Sequence, residues 1–258
     1  MTIALTGTVH DPDGLQLPAL ERCATFFRLY AGVYLAVSPE TDPRLHTALA
    51  THGVILVGGG PEIGTARRAA LRSAVAAGHD AFLAIDFDRW LHWAGTYSDE
   101  LAAIPRRVAR QRPRRWYVCL GRTRRAFATH PLAQRLTETV TNTALSLAVG
   151  RRMDAAAGAA WLSREGADLI PRESIAPTAA TDLEWPALIF RADRHRLGQL
   201  RCDGLEFETA AFHADAIAAA GGLDPWVRQT YDHPASWQRR TQLAADSIAA
   251  LGRVLDHA

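Results

Sequence analysis

Across its first ninety residues the chain alternates short apolar runs with helix-period segments, and that alternation constrains the fold more than any other feature. Ile3–Val9, Val33–Val37, Val54–Val57 and Ala81–Ile85 have strand length, and each is closed by turn residues. Between them, Leu17–Phe27, Pro43–His52 and Gly64–Ala77 carry apolar or small residues at helical spacing, stopped by Gly32, Gly53 and Gly78. Fully apolar strands separated by helices predict an α/β fold with a parallel sheet covered on both faces. In such sheets ligands sit beyond the carboxyl ends of the strands. Those ends carry Thr6-Gly7-Thr8, Ser38-Pro39-Glu40, a glycine run through Gly60, and Asp86-Phe87-Asp88.

The second half is less regular. Trp116–Leu120 reads as a strand, and Leu132, Leu136, Val140 and Leu147 mark a long helix. Ala155–Ile170 is rich in small residues and reads as helical in part. Ala187–Phe190 and Leu197–Cys202 read as strands of a hairpin, and Ala214–Ala220 as a short helix ending at Gly221-Gly222. Trp237, Ala244, Ile248, Leu251 and Leu255 line one face of a final helix. No internal repeat and no linker rich in Pro, Gly or Ser divides the chain, so a single domain over 1–258 is expected.

Composition removes several chemistries. All 29 basic residues are Arg and none is Lys, which excludes a Walker A loop, a Schiff-base enzyme and a lysine general base. Cys23, Cys119 and Cys202 lie far apart without a CxxC pair, so no zinc ribbon or thioredoxin motif is present. The N-terminus lacks a basic stretch followed by a long apolar run, and no stretch of 18 apolar residues occurs. A cytoplasmic protein without a transmembrane segment is expected. Charge is uneven: residues 101–153 hold 12 Arg against one acid, Glu138, and nine of those Arg fall between Arg106 and Arg125. That segment reads as a solvated face, as a contact for an anionic small molecule, or as a nucleic-acid or membrane surface. Its aromatics, Trp116 and Tyr117, fall inside the expected strand, so base stacking and nucleic-acid binding are not expected.

Asp86 and Asp88 carry the sharpest chemical signal. Two carboxylates at i and i+2 past a strand end can turn toward one hard cation, Mg²⁺ or Mn²⁺, which shares its coordination with phosphates. The run at 64–90, GTARRAALRSAVAAGHDAFLAIDFDRW, resembles the nucleotide-sugar glycosyltransferases of the GT-A fold. Their pattern is a glycine, an Arg shortly after it, a small-residue helix and a strand ending in DxD. The resemblance implies a Rossmann-like, mostly parallel sheet with a smaller mixed acceptor-side region. It further implies a nucleotide-binding half at 1–95 and an acceptor-side half at 96–258. Thr6, Gly7, Thr8, Glu40 and Gly60 would then lie against the donor, and Arg67 against its diphosphate. Asp86 would reach the ribose or the metal, and Asp88 would ligate the metal. The implied activity is metal-dependent transfer of a sugar from a nucleoside diphosphate to a small-molecule acceptor. In inverting members of the group a carboxylate from the second half deprotonates the acceptor, and Asp182 or Glu184 could serve. Gly204–Glu208 resembles an acceptor-side segment of retaining members, and His213 or His233 would offer a late metal ligand. Inversion and retention both stay open.

Three rivals share parts of this pattern. A dinucleotide-binding oxidoreductase would use Gly58-x-Gly60, but the third glycine is Gly64, and Glu62 would repel a pyrophosphate. A sugar nucleotidyltransferase would need a basic glycine-rich loop after the first strand, where this chain has the acidic His10-Asp11-Pro12-Asp13-Gly14. A catalytically degenerate module of the same fold would bind a partner without turnover.

Overall fold

The computed structural model describes residues 1–111 and 114–256; Arg112, part of the basic segment, lies outside them. The first half follows the expected alternation: β1 (Ile3–Val9), α1 (Leu17–Cys23), β2 (Gly32–Val37), α2 (Pro43–Thr51), β3 (Ile55–Gly58), α3 (Ile63–Ala76) and β4 (Ala81–Ile85). Asp42 starts α2 by accepting the Arg44 N–H, with Pro43 pre-set for the first turn. The second half adds α4 (Phe87–Thr96), α5 (Ser98–Ala109), β5 (Tyr117–Arg122), α6 (Arg124–Ala128), α7 (Leu132–Ala148), β6 (Ala159–Ser163), α8 (Arg164–Glu173), α9 (Thr181–Ala192) and β7 (Leu197–Cys202). α10 (Ala214–Ala219), α11 (Leu223–Tyr231) and α12 (Pro234–Leu255) end the described chain.

The strands form one sheet in the order β3-β2-β1-β4-β6-β5-β7. β1 to β4 are mutually parallel, as are β5 and β7, whereas β6 runs antiparallel between β4 and β5. Side chains alternate across the sheet. Leu83 and Ile85 of β4 face a core with α1, α4 and α5, while Phe82 faces one with α3, α7, α9 and α12. In the first core Trp90 lies between Phe27 and Phe87, with ring centroids 4.7 and 5.8 Å away. Burying each such ring is worth roughly 1.5–3 kcal/mol. This packing pulls Phe87 inward and so fixes the direction in which the chain leaves β4.

Several elements differ from the sequence reading. β3 is an edge strand, with Ile55 and Leu56 exposed, because an apolar run does not reveal whether a second neighbour exists. The segment expected to be partly helical contains β6, held by strands on both sides, before α8 begins. Ala187–Phe190 belongs to helix α9, whose continuous apolar run reflects burial on nearly all sides. β7 therefore has no hairpin partner and pairs in parallel with β5. α7 turns its polar side inward: Gln134, Glu138 and Thr141 are buried while Leu132, Leu136, Val140 and Leu147 are exposed. The basic segment is spread over α5, β5 and α6, where Arg107, Arg114, Arg122 and Arg125 each meet carboxylates.

Candidate active site

Asp86 leaves β4 as the residue preceding α4, and Asp88 sits in the first turn of that helix. The Asp86 carboxylate does not cap α4. It accepts hydrogen bonds from the Thr8 hydroxyl at 2.8 Å and from Arg67 Nε and Nη2 at 3.1 and 2.6 Å. Arg67 Nη1 donates to Asp182 Oδ1 at 2.7 Å and to Thr181 Oγ1 at 3.0 Å. One guanidinium thus ties α3 to the carboxyl ends of β1 and β4 and to the start of α9. A planar fork of donors suits such a bridge, where an amine would not.

Gly64 lets α3 reach this position. Its N–H donates to Pro177 O at 2.8 Å, and a Cβ there would come within 2.3 Å of Ala176 O. The opposing 174–178 loop is held by Glu184, whose Oε1 accepts from the N–H groups of Ile175 and Ala176 at 2.9 and 3.0 Å. Its Oε2 accepts from the Ser174 hydroxyl. Of the two candidate bases, only Asp182 faces the cleft; Glu184 is buried in the loop anchor. Residues two apart on a helix point about 200° apart, so α9 cannot present both carboxylates to one cavity.

Three carboxyls near these guanidiniums respond differently. Burial would raise the Asp86 carboxyl, but Arg67, Arg89 and the Thr8 hydrogen bond hold it below the ordinary carboxylate range. Burial raises Asp182, and Asp86 beside it adds to the shift despite the Arg67 contact. Burial, Glu208 and Asp86 push Asp88 up to about 7. Arg89 links the last group together: its Nε lies 3.4 Å from Glu208 Oε1, and its Nη1 donates to the Ala157 carbonyl. Gly158, at φ +66°, takes a left-handed turn beside both guanidiniums, where a Cβ would sit 3.4 Å from Arg67 Nη2.

The donors favour a hard cation at Asp88 with Glu208 more than at Asp86 with Asp88. Both Asp86 oxygens are engaged by Arg67. Glu208 Oε2 is buried without a hydrogen-bond partner among the described residues, and Asp88 stands in excess negative charge. Among the described residues no three His, Cys, Asp or Glu side chains are arranged around one metal position, so a cation would need further oxygens from a ligand or water.

Thr6 and Gly7 line the cleft with Arg67, Asp86 and Asp182. Glu40 and Gly60 follow β2 and β3 at the same edge of the sheet, exposed and outside the cavity lining. His213 packs against Trp226 with its ring tilted by 31°, and His233 caps α12 by accepting the Ser236 N–H. Sequence reasoning missed Thr181, Tyr117, Trp185, Arg89 and Arg240, which line the cleft or its extension. Arg89 adjoins the DxD and was open to notice; nothing local marks Arg240. The space between Arg67 and the strand ends is only about 20 Å³, and the adjoining space under α7 and α12 about 120 Å³. Ligand pockets are several times larger, so a nucleotide sugar would have to displace side chains, Arg67 first.

The architecture is α/β and GT-A-like, the fold of nucleotide-sugar glycosyltransferases. The solved structures it resembles include glucosyl-3-phosphoglycerate synthase from Mycobacterium tuberculosis, with TM-score 0.57 and 16% identity over 98% of this chain and 80% of that one. The same enzyme in complex with UDP gives TM-score 0.56 at 16% identity, covering 99% and 80%. Its complex with Mn²⁺, UDP-glucose and glycerol 3-phosphate gives 0.55 at 14% identity, covering 99% and 80%. No protein-family model and no curated protein sequence matches the chain. No helix among the described residues is long and apolar enough to cross a membrane.

Proposed function

We propose that this protein is a metal-dependent glycosyltransferase that moves a sugar from a nucleoside diphosphate to a small anionic acceptor. The observation that carries the proposal is Arg67, clamped between Asp86 and Asp182 at the carboxyl edge of β1 and β4. Support comes from the fold, shared with a synthase solved with Mn²⁺ and UDP-glucose. Thr6, Gly7 and Thr8, with Glu40 and Gly60 on the rim, would contact the nucleoside. The diphosphate would compete with Asp86 and Asp182 for Arg67 and open the cleft. Asp88 and Glu208 would hold Mg²⁺ or Mn²⁺, which when bound neutralises charge on the departing diphosphate. Asp182, freed from Arg67, would take the acceptor hydroxyl proton as the acceptor oxygen bonds the sugar C1 and the C1–phosphate oxygen bond breaks.

Arg67, Arg89 and Arg240 line the adjoining space together with Asp86, Glu138 and Asp182, so an acceptor phosphate or carboxylate would bind there by taking these guanidiniums from their carboxylates. Residues 1–95 would serve as the donor side and 96–258 as the acceptor side of one domain. The three cysteines are free and buried, which suits a reducing cytoplasm. Calorimetry with UDP, GDP and ADP, with and without Mn²⁺, tests the proposal. One nucleotide is expected to bind more tightly with Mn²⁺, and Asp88→Ala to remove that gain. Absent binding, or equal binding in both conditions, would overturn the metal-dependent reading.

A further inference from the structure

A second cavity, about 600 Å³, lies between the end of β5, α6, α7 and the 150–154 segment, and it shares no lining residue with the cleft. Its charge is lopsided. Arg122, Arg124, Arg151, Arg152 and Arg201 line it against a single carboxylate, Asp154. Asp154 is already engaged: it accepts from Arg122 N, Nε and Nη2 at 2.6, 3.1 and 2.8 Å and from Asn142 Nδ2 at 2.7 Å. Arg122 in turn reaches Glu138 with Nη1 at 2.6 Å. The floor of the cavity is therefore neutralised from within.

The other four guanidiniums pair with no carboxylate among the described residues. Arg201 Nη1 donates to the Arg122 carbonyl at 2.7 Å, and Arg151 Nη2 donates to the Leu197 carbonyl. Arg151 Nε is buried without a hydrogen-bond partner among the described residues, and burial and the nearby Arg115 lower the affinity of that guanidinium for its proton. Arg124 and Arg152 are exposed at the mouth. Four like charges around one cavity repel one another, and an anion would relieve that repulsion.

We propose that this cavity is a second binding site, separate from the cleft, for a small molecule carrying phosphate. Several open guanidiniums suit the many acceptor oxygens of a phosphate or diphosphate better than a lone carboxylate. The volume falls in the range of small-ligand pockets, which favours a metabolite-sized occupant. Phe127 and Leu147 in the wall supply an apolar surface for the rest of the molecule.

The probe is inorganic pyrophosphate, titrated by calorimetry into the wild-type protein and an Arg124→Ala/Arg152→Ala double variant. Both residues are exposed and make no ion pair among the described residues, so the melting temperature should not change. The expected result is a binding event that the double variant weakens at least about tenfold, equivalent to about 1.4 kcal/mol. No binding to the wild type, or equal affinity in the double variant, would overturn the proposal. Anionic phosphatidylglycerol vesicles form a second arm. Vesicle binding that needs Arg124 and Arg152, without pyrophosphate binding, would overturn the small-molecule site in favour of a lipid headgroup.

Discussion

Two clusters share the same parts, one Arg between two carboxylates, and they behave differently. In the cleft, Arg67 joins Asp86 and Asp182, whose side chains keep 17% and 18% of their exposure. Behind it, Arg122 joins Asp154 and Glu138 with no exposure of its own, stacked 4.7 Å from the Phe127 ring centroid. In the inner cluster Asp154 is fully engaged: it also accepts from Asn142 and from the backbone, and its carboxyl is held low despite burial, while Arg122 Nη1 and Glu138 Oε2 meet as an ion pair. In the cleft cluster the two carboxyls are shifted in opposite directions: Arg67 and Arg89 hold Asp86 low, while burial and Asp86 raise Asp182. A carboxylate engaged on every side, such as Asp154, holds the fold, whereas one with a single cationic partner, such as Asp182, is ready to exchange partners.

The largest effect expected from this contrast is at Arg122. Arg122→Ala leaves buried Asp154 without a cation among the described residues and Glu138 with only its Arg240 contact at 3.5 Å, and should remove about 3–5 kcal/mol of stability in chemical denaturation, or prevent folding. A loss under about 1 kcal/mol would break the claim that the inner cluster is structural. Arg67→Ala should weaken nucleotide binding by about ten- to a hundredfold, as expected for a charge-assisted contact worth roughly 1.5–3 kcal/mol. Isothermal calorimetry reads that change, and unchanged affinity would place Arg67 outside the diphosphate contact.

The smallest effect is one of pH. Asp154 is lower in the folded protein than in the unfolded chain, where Asp titrates near about 3.9. Its stabilisation is present above that value and fades as pH falls through the folded value. Asp182 is raised, so its folded form binds protons more readily, and its burial penalty grows as pH rises above the unfolded value. Asp182→Asn should therefore leave the melting temperature at pH 7 unchanged or slightly higher, an effect of up to about 1 kcal/mol that vanishes in acid. Asp154→Asn should lower it at pH 7 and converge on the wild type in acid. Matching profiles for the two variants would erase the contrast.

The parallel half of the sheet was legible because its strands are compact apolar runs and its helices keep a regular period. Asp86 was legible as a chemical candidate because it ends a readable strand, whereas Arg67 and Asp182 were named only through the resemblance to nucleotide-sugar glycosyltransferases. Their convergence was not legible, since Arg67 and Asp182 are separated by 115 positions and only tertiary packing joins them. The reading of β6 failed because Ala-Ala-Trp-Leu-Ser lacks the β-branched residues that mark strands, and its conformation is imposed by β4 and β5. Glu184 and Asp182 could not be told apart until the helix fixed which one faces the 174–178 loop.

The reversed direction of β6 has a consequence for how this scaffold can diversify. A parallel strand offers its tail to the ligand edge, so variation there follows the strand, as after β1 and β4. β6 offers its head, with Gly158 and Ala159 entering the cleft. Reshaping of ligand choice on this side should therefore concentrate upstream, in residues 150–158, whose first five wall the second cavity.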